Sequence, residues 1–317
     1  SYKVETLRVN PRADEKDVRY IDRDIQDFFD TTHLYSPIEI DDCVDLRQAK
    51  VIAAKLGGKL PDAKNPGGRI RASIDLVFQK PDRQIITTTS DTLIETTVLD
   101  IDRGEPAVSH VRAALEGQAH VVTANKGPAA FAYHELEAVA ESVDRVFLFE
   151  GAVMDGVPVF NLARETLPAL RIDGFRGVIN TTCNFILSEL ERGAEFDRAL
   201  ADMQARGIAE ADPTLDIDGW DAAAKAAALV NALMGGVITP HLVQRTGIRD
   251  VTGLDVRDAL GRNKRIRLVA SASRHGGAVK ARVEPEWLDR SDPLASLVDL
   301  NNALYLSTDL LGEIGIV

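Results

Sequence analysis

Between residues 84 and 149, short β-branched runs alternate with amphipathic stretches, and that alternation leaves the chain very few ways to fold. Strands are expected at 84–88, 120–123 and 145–149, with helices at 106–115 and 129–142 between them. Strand, helix, strand at this spacing makes βαβ units, and their crossovers require a parallel sheet. The chain ahead of this region reads differently. Residues 12–29 carry Val18, Ile21, Ile25, Phe28 and Phe29 at helical spacing among charges, which predicts a short surface helix. A second helix over 45–56 stops at Gly57 and Gly58, and LPDAKNPGGR at 60–69 reads as an exposed loop.

After Glu150 the pattern changes. Strands at 171–179 and 266–271 bracket helices at 157–166, 182–192, 196–206 and 218–234, the last rich in alanine. The tail adds strands at 279–283, 303–307 and 313–317, so the chain stops inside an apolar strand. With 317 residues, 45% of them apolar, two domains can each bury a core. The 49 acids against 37 bases give a net charge of -12, which argues against a nucleic-acid partner. Two cysteines, Cys43 and Cys183, are too few for a disulfide framework and fit a reducing cytoplasm. No apolar run reaches the roughly 18 residues that span a bilayer, and the N-terminus is not a signal peptide, so a protein neither exported nor membrane-bound is expected. The six histidines are scattered and read as structural or surface residues.

Chemistry concentrates at 207–225, GIAEADPTLDIDGWDAAAK, where Glu210, Asp212, Asp216, Asp218 and Asp221 precede Lys225. Asp221 and Lys225 lie four residues apart and share a helix face. Exposed pairs of this kind are common and contribute only about 0.2–0.5 kcal/mol. Here, however, six alanines flank the lysine, and in so tightly packing a stretch a long cationic side chain is expected to project into a cleft. An ammonium there can exchange protons with a carbonyl or hydroxyl. Turn signals at Asp212-Pro213 and Asp218-Gly219 fold the loop that carries Glu210 and Asp216. Carboxylates beside an ammonium suit a zwitterionic amino acid; a divalent-metal site is the rival reading, and helix capping is the plain one for Asp218. A second lysine follows the strand at 120–123 in Thr123-Ala124-Asn125-Lys126-Gly127-Pro128, where open parallel sheets bind ligands. The plain alternative is an ordinary turn with Lys126 exposed.

Taken together, these segments resemble the homoserine dehydrogenase family. VVTANKGP at 121–128, EGAVMDGVPVF at 150–160, INTTCNFIL at 179–187 and the 207–225 segment are similar to family motifs, in the family's order, from about residue 43 onward. The resemblance implies an α/β chain, with an incomplete or altered Rossmann-like parallel-sheet domain over 1–149, atypical in 1–42. An α+β catalytic and dimerisation domain over 150–305 would follow, with 306–317 returning toward the first domain. It implies NAD(P)-dependent interconversion of L-homoserine and L-aspartate 4-semialdehyde, in a homodimer. By that resemblance Lys225 is the acid/base, with Lys126 and Asp221 beside it. Glu210, Asp216 and Thr182 would bind substrate, while Thr123, Asn125 and Lys126 would meet NADP or NAD. A monovalent cation would sit at Glu150, Val153, Asp155 and Val157.

Some family features are missing. No Gly-x-Gly-x-x-Gly turn stands between a strand and a helix, since Gly57-Gly58 follows a helix and Gly67-Gly68 lies in a proline-bearing loop. Ile208 replaces a tyrosine common in the family, and Met154-Asp155 replaces small residues. Two other readings stay open: an oxidoreductase for a different small hydroxy or amino acid, and an amino-acid-binding homologue without the cofactor site.

Overall fold

A computed structural model describes residues 92–205, 212–276 and 278–317, together with a short antiparallel pair, β1 (Ile38–Glu39) and β2 (Ser73–Ile74). The expected helices at 12–29 and 45–56, the loop at 60–69, the strand at 84–88 and the two substituted or substrate-binding positions Ile208 and Glu210 lie outside the described residues.

Three strands, β3 (Thr92–Glu95), β4 (His120–Thr123) and β5 (Phe147–Leu148), make the parallel sheet that the alternation requires. β3 has no counterpart among the expected strands: it is four residues long and ends in Glu95, a carboxylate that is fully buried. The crossover helix α1 (Ala107–Glu116) buries Ala107, Val111, Ala114 and Leu115, a stripe at three- and four-residue spacing. The next crossover differs from the single helix expected over 129–142. It consists of α2 (Lys126–Phe131) and α3 (Tyr133–Ser142), parted at Ala132, where φ of -139° leaves the helical region. α2 starts early because the Asn125 side chain accepts the Gly127 N–H at 2.8 Å and caps it.

Beyond β5, the expected helix at 157–166 is a single turn, α4 (Val159–Asn161), continued as a π-helical turn to Thr166. A mixed six-stranded sheet follows. Its strands are β6 (Ile172–Val178), β7 (Gln244–Arg245), β8 (Lys264–His275), β9 (Ala278–Asp289), β10 (Ala303–Thr308) and β11 (Gly312–Ile316), ordered β11-β10-β6-β8-β9-β7. Residues 306–317, expected to return toward the first domain, instead complete β10 and form the edge strand β11, paired with β10 from Leu304 opposite Ile316. α5 (Thr181–Glu191), α8 (Trp220–Met234) and α9 (Gly253–Gly261) pack on this sheet. α6 (Phe196–Ala205) lies on α5, and the single turn α7 (Thr214–Ile217) leads into α8.

The alanine-rich α8 joins the two halves. Ala222, Ala223, Ala224, Ala226, Ala227 and Ala228 are all buried, and their small side chains let α8 sit between α2 and the strands β8 and β9. Gly219 and Gly235 bracket it with φ of +79° and +60°, conformations that a side chain resists. One continuous apolar cluster runs from Leu93 and Val121 in the parallel sheet to Leu268 and Val283 in the mixed one. Among the described residues no helix is long and apolar enough to cross a membrane.

A smaller cluster of Val178, Val269, Leu288, Leu294 and Leu297 lies beside Arg267, whose side chain is wholly buried. Its Nη1 is 2.7 Å from Glu191 Oε1 and its Nε donates to the Leu297 carbonyl at 2.7 Å, so one guanidinium ties the end of α5 to the loop before β10. Without Arg267, Glu191 keeps only the longer contact to Arg265 Nε at 3.6 Å. Arg267→Ala is therefore expected to cost about 3–5 kcal/mol in denaturant unfolding, and removing Glu191 as well should recover part of that loss; additive losses would show that the pair is not coupled.

Candidate active site

The carboxyl ends of β3 and β4 meet at a buried carboxylate. Glu95 accepts the Thr97 N–H at 2.7 Å and the Thr123 hydroxyl at 2.5 Å, and a further hydrogen bond from the Thr97 hydroxyl. Asn125 completes the junction by donating from Nδ2 to the carbonyls of Thr97, at 2.9 Å, and Val98, at 3.2 Å, while its Oδ1 caps α2. Thr123 and Asn125 thus turn their side chains inward, and they shape the turn that presents Lys126 rather than offering free polar groups to a ligand. Glu95 was not legible as a site-building residue.

Lys126 is not the exposed turn lysine of the plain reading. Its Nζ lies 3.0 Å from Asp221 Oδ1, and Lys225 Nζ lies 2.8 Å from Asp221 Oδ2, so one carboxylate bridges two ammoniums. The side chains of Lys126, Asp221 and Lys225 are only 21%, 13% and 15% exposed, which separates them from an ordinary surface pair. Lys225 also donates to the Ile179 carbonyl at 2.8 Å. The six alanines that flank it are all buried.

Asp216 stands beside this cluster on α7. Thr182, 5% exposed at the start of α5, hydrogen-bonds to it, so two of the three residues expected at the substrate end come together. Asn180, inside the 179–187 motif, joins the same cluster. Its Nδ2 donates to Asp216 Oδ1 at 2.7 Å and to Asp221 Oδ2 at 2.9 Å, and its Oδ1 accepts the Cys183 N–H at 2.8 Å, capping α5. An asparagine just ahead of a helical run signals a cap; the second task of joining two distant carboxylates leaves no mark in sequence.

Asp218 does not cap α8, because Gly219 holds that position without a side-chain bond. Instead its carboxylate meets Arg249 Nε at 2.7 Å. Arg245 hydrogen-bonds the Asp218 carbonyl and lies 3.7 Å over the Trp220 ring, fastening the first turn of α8 from outside. Among the described residues no group of three or more His, Cys, Asp or Glu is placed to hold a metal ion. Asp221 is occupied by two ammoniums and an amide, so it offers no free ligand to the divalent metal of the rival reading.

At 150–157, Glu150 accepts the backbone N–H groups of Phe160 and Asn161 at 2.7 and 2.9 Å, anchoring α4. Met154 and Asp155 both have positive φ. Val153 is buried and Asp155 exposed, and the Val157 carbonyl accepts the Val159 N–H at 2.8 Å.

The charges perturb one another in opposite senses. Burial opposes ionisation of Asp221, but the ammoniums of Lys225 and Lys126 overcome it and hold this carboxyl well below the usual range. The Asp221 charge raises the Lys126 pKa against desolvation. Burial, and then the neighbouring Asp221, push Asp216 upward despite its hydrogen bonds from Asn180 and Thr182. The Cys183 thiol, whose Sγ is 3.2 Å from the Asp216 carbonyl oxygen, is likewise raised by burial and by both aspartates. What results is a cluster in which Asp221 stays ionised and raises Lys126, beside Asp216, whose carboxyl is pushed the other way.

A sequence model described as homoserine dehydrogenase matches residues 158–317. A protein of Pseudomonas canavaninivorans named NAD(+)-dependent homoserine dehydrogenase is 39% identical over 253 residues, which cover 80% of this chain and 70% of that one. The homoserine dehydrogenase of Methanocaldococcus jannaschii is 35% identical over 278 residues, 87% of this chain and 78% of its own. In three dimensions, a homoserine dehydrogenase of Thiobacillus denitrificans superposes with a TM-score of 0.66 at 36% identity, covering 72% of this chain and 52% of that one. The chain belongs to the homoserine dehydrogenase family. The region matched by the family model carries Asn180, Asp216, Asp221 and Lys225, while Lys126 follows β4 ahead of it.

The Asp221 ion pairs make stability depend on pH with a definite sign. Its folded pKa lies below the unfolded value of about 3.9, so its contribution is complete above that value and is lost as pH falls through the folded pKa. The Tm gap between wild type and Asp221→Asn is expected to be widest near neutral pH and to close on acidification; a gap independent of pH would show that Asp221 is not ion-paired.

Proposed function

We propose that this chain interconverts L-homoserine and L-aspartate 4-semialdehyde, with Lys225 as proton donor and acceptor. It is an oxidoreductase acting on a CH–OH group. The observation that carries the assignment of roles is the convergence of Lys126 and Lys225 on Asp221 at the carboxyl end of β4.

A nicotinamide dinucleotide supplies or accepts the hydride. The residues beside Lys126 fit such a group, because Ala124 is exposed and Gly151 lies against it, where a Cβ would stand 3.4 Å from the alanine methyl. When the aldehyde is reduced, negative charge builds on its oxygen, and Lys225 meets that charge and delivers a proton from Nζ. In the oxidising direction the same nitrogen takes the hydroxyl proton. Asp221 holds Lys225 and Lys126 in place, Lys126 positions substrate against cofactor, and Asp216 with Glu210 receives the substrate α-ammonium. Thr182 orients Asp216.

The name of the Pseudomonas canavaninivorans relative supports NAD+ as the dinucleotide. Purified protein given homoserine should form NADH with a higher kcat/KM than it forms NADPH. Lys225→Ala should lower kcat by about 10²–10⁴-fold, whereas Lys280→Ala, an exposed residue of β9, should not. No turnover of homoserine by the wild type, with turnover of another hydroxy acid, would reject this substrate.

Residues 1–149 are taken as the nucleotide domain and the following residues to 305 as the catalytic and dimerisation domain of a cytoplasmic homodimer. Glu150, Val153, Asp155 and Val157 offer a carboxylate and carbonyls for a monovalent cation, and an oxygen that already accepts one hydrogen bond keeps a second lone pair. Dialysis against buffer free of Na+ and K+ should lower the rate, and sedimentation should give twice the chain mass; an unchanged rate or a monomer rejects the respective assignment.

A further inference from the structure

We propose that Asn180 is a positioning residue of the proton-transfer site: its amide sets the directions of the Asp216 and Asp221 carboxylates and thereby the way Lys225 presents its proton. The proposal rests on the dehydrogenase reading above. Its argument is one of hydrogen-bonding capacity. A carboxamide has two N–H donors and a carbonyl acceptor. Asn180 gives one donor to Asp216 Oδ1 and the other to Asp221 Oδ2, and its oxygen takes the Cys183 N–H, so both donors are committed. The residue is only 3% exposed, which leaves little room for water to substitute.

The atom it holds on Asp221 is the one that matters. Oδ2 also meets Lys225 Nζ at 2.8 Å, and the carbonyl of Ile179, next to Asn180, takes a second hydrogen from the same nitrogen at 2.8 Å. An ammonium has three hydrogens. Two of those on Lys225 point to protein oxygens, and one is left for a substrate oxygen. Remove the amide and Asp221 keeps Lys126 on Oδ1 and Lys225 on Oδ2 but loses the donor that fixes Oδ2 from the α5 side, so the direction of the third hydrogen is less well held. The amide also stands between Asp216 and Asp221, bridging two acids that otherwise repel.

Asn180 caps α5 as well, and a cap alone would make its loss merely structural. Serine separates the two roles, since it caps helices about as well as asparagine but has a single donor. Asn180→Ser, which keeps a cap but not both amide donors, is expected to lose less Tm than Asn180→Ala and to keep the KM for NAD+, while kcat for homoserine falls by about tenfold or more in both. If Asn180→Ser keeps wild-type kcat, or if the serine and alanine variants lose Tm and kcat together and equally, Asn180 is only a cap and the inference is wrong.

A second readout needs no turnover. The carboxylates face the Lys126 and Lys225 ammoniums, the Thr182 hydroxyl and the Cys183 thiol, with Asp155 near Lys126 and Asp218 near Cys183. Carbon-13 carboxyl resonances of Asp216 and Asp221 should titrate at higher pH in Asn180→Ser, because a donor favouring the charged forms is gone. Unmoved midpoints overturn the proposal. A wild type inactive on homoserine whose midpoints nevertheless move would defeat the dehydrogenase reading and leave the placement of the carboxylates intact.

Discussion

Asp221 accepts from two lysines that arrive on different parts of the fold, Lys126 from the first residue of α2 and Lys225 from one turn further along α8. That contact joins the parallel sheet, which positions α2, to the mixed sheet, which positions α8. The desolvation of each buried ion costs several kcal/mol, and the attraction between partners returns this only when the geometry is good. Here three donors surround one carboxylate at 2.8 to 3.0 Å. An apolar replacement could pack the same space, so the cluster is better explained by what it can do to a substrate than by stability.

Much of the surrounding structure holds that carboxylate and its lysines still. Six buried alanines let α8 approach both α2 and the strands β8 and β9, and bulkier side chains would move Asp221 away from Lys126. Outside the helix start, Gly247 passes so close to Ile217 that an added Cβ would stand 2.1 Å from its carbonyl oxygen, and the Ile248 N–H bonds that same oxygen at 2.8 Å. On the other side, Glu95 and Asn125 lock the ends of β3 and β4, so Lys126 leaves a rigid turn. Rigid supports of this kind keep an acid/base group aligned.

Much of this was readable in advance where the reason was local. The periodicity of β4 and of α8, the i,i+4 relation of Asp221 and Lys225, and the turn after β4 each depend on neighbours in sequence, and each appears close to its expected place. Boundaries moved for reasons that spacing alone does not carry. Asn125 started α2 early, Ala132 divided one expected helix in two, and α4 gave way to a π-helical turn. β3 went unread because its last residue, Glu95, is an acid buried by hydrogen bonds from residues 2 and 28 positions away. The tail, expected to return to the first domain, pairs within the second sheet because β10 presents it with an open edge.

Sequence by itself determined the kind of chain this is: a βαβ unit, then a helix-covered sheet, with two lysines and a set of acids in motifs that resemble one family. Those features follow from residue type and short-range spacing, which the linear order contains in full. Only the tertiary structure decided that Lys126 is a buried partner of Asp221, that Asp218 belongs to Arg249, and that Asn180 joins Asp216 to Asp221. A polar side chain takes its role from the groups it meets after water is excluded, and those groups lie 36 to 41 residues away for Asn180. Spacing along the chain carries no record of such encounters until the sheets have packed.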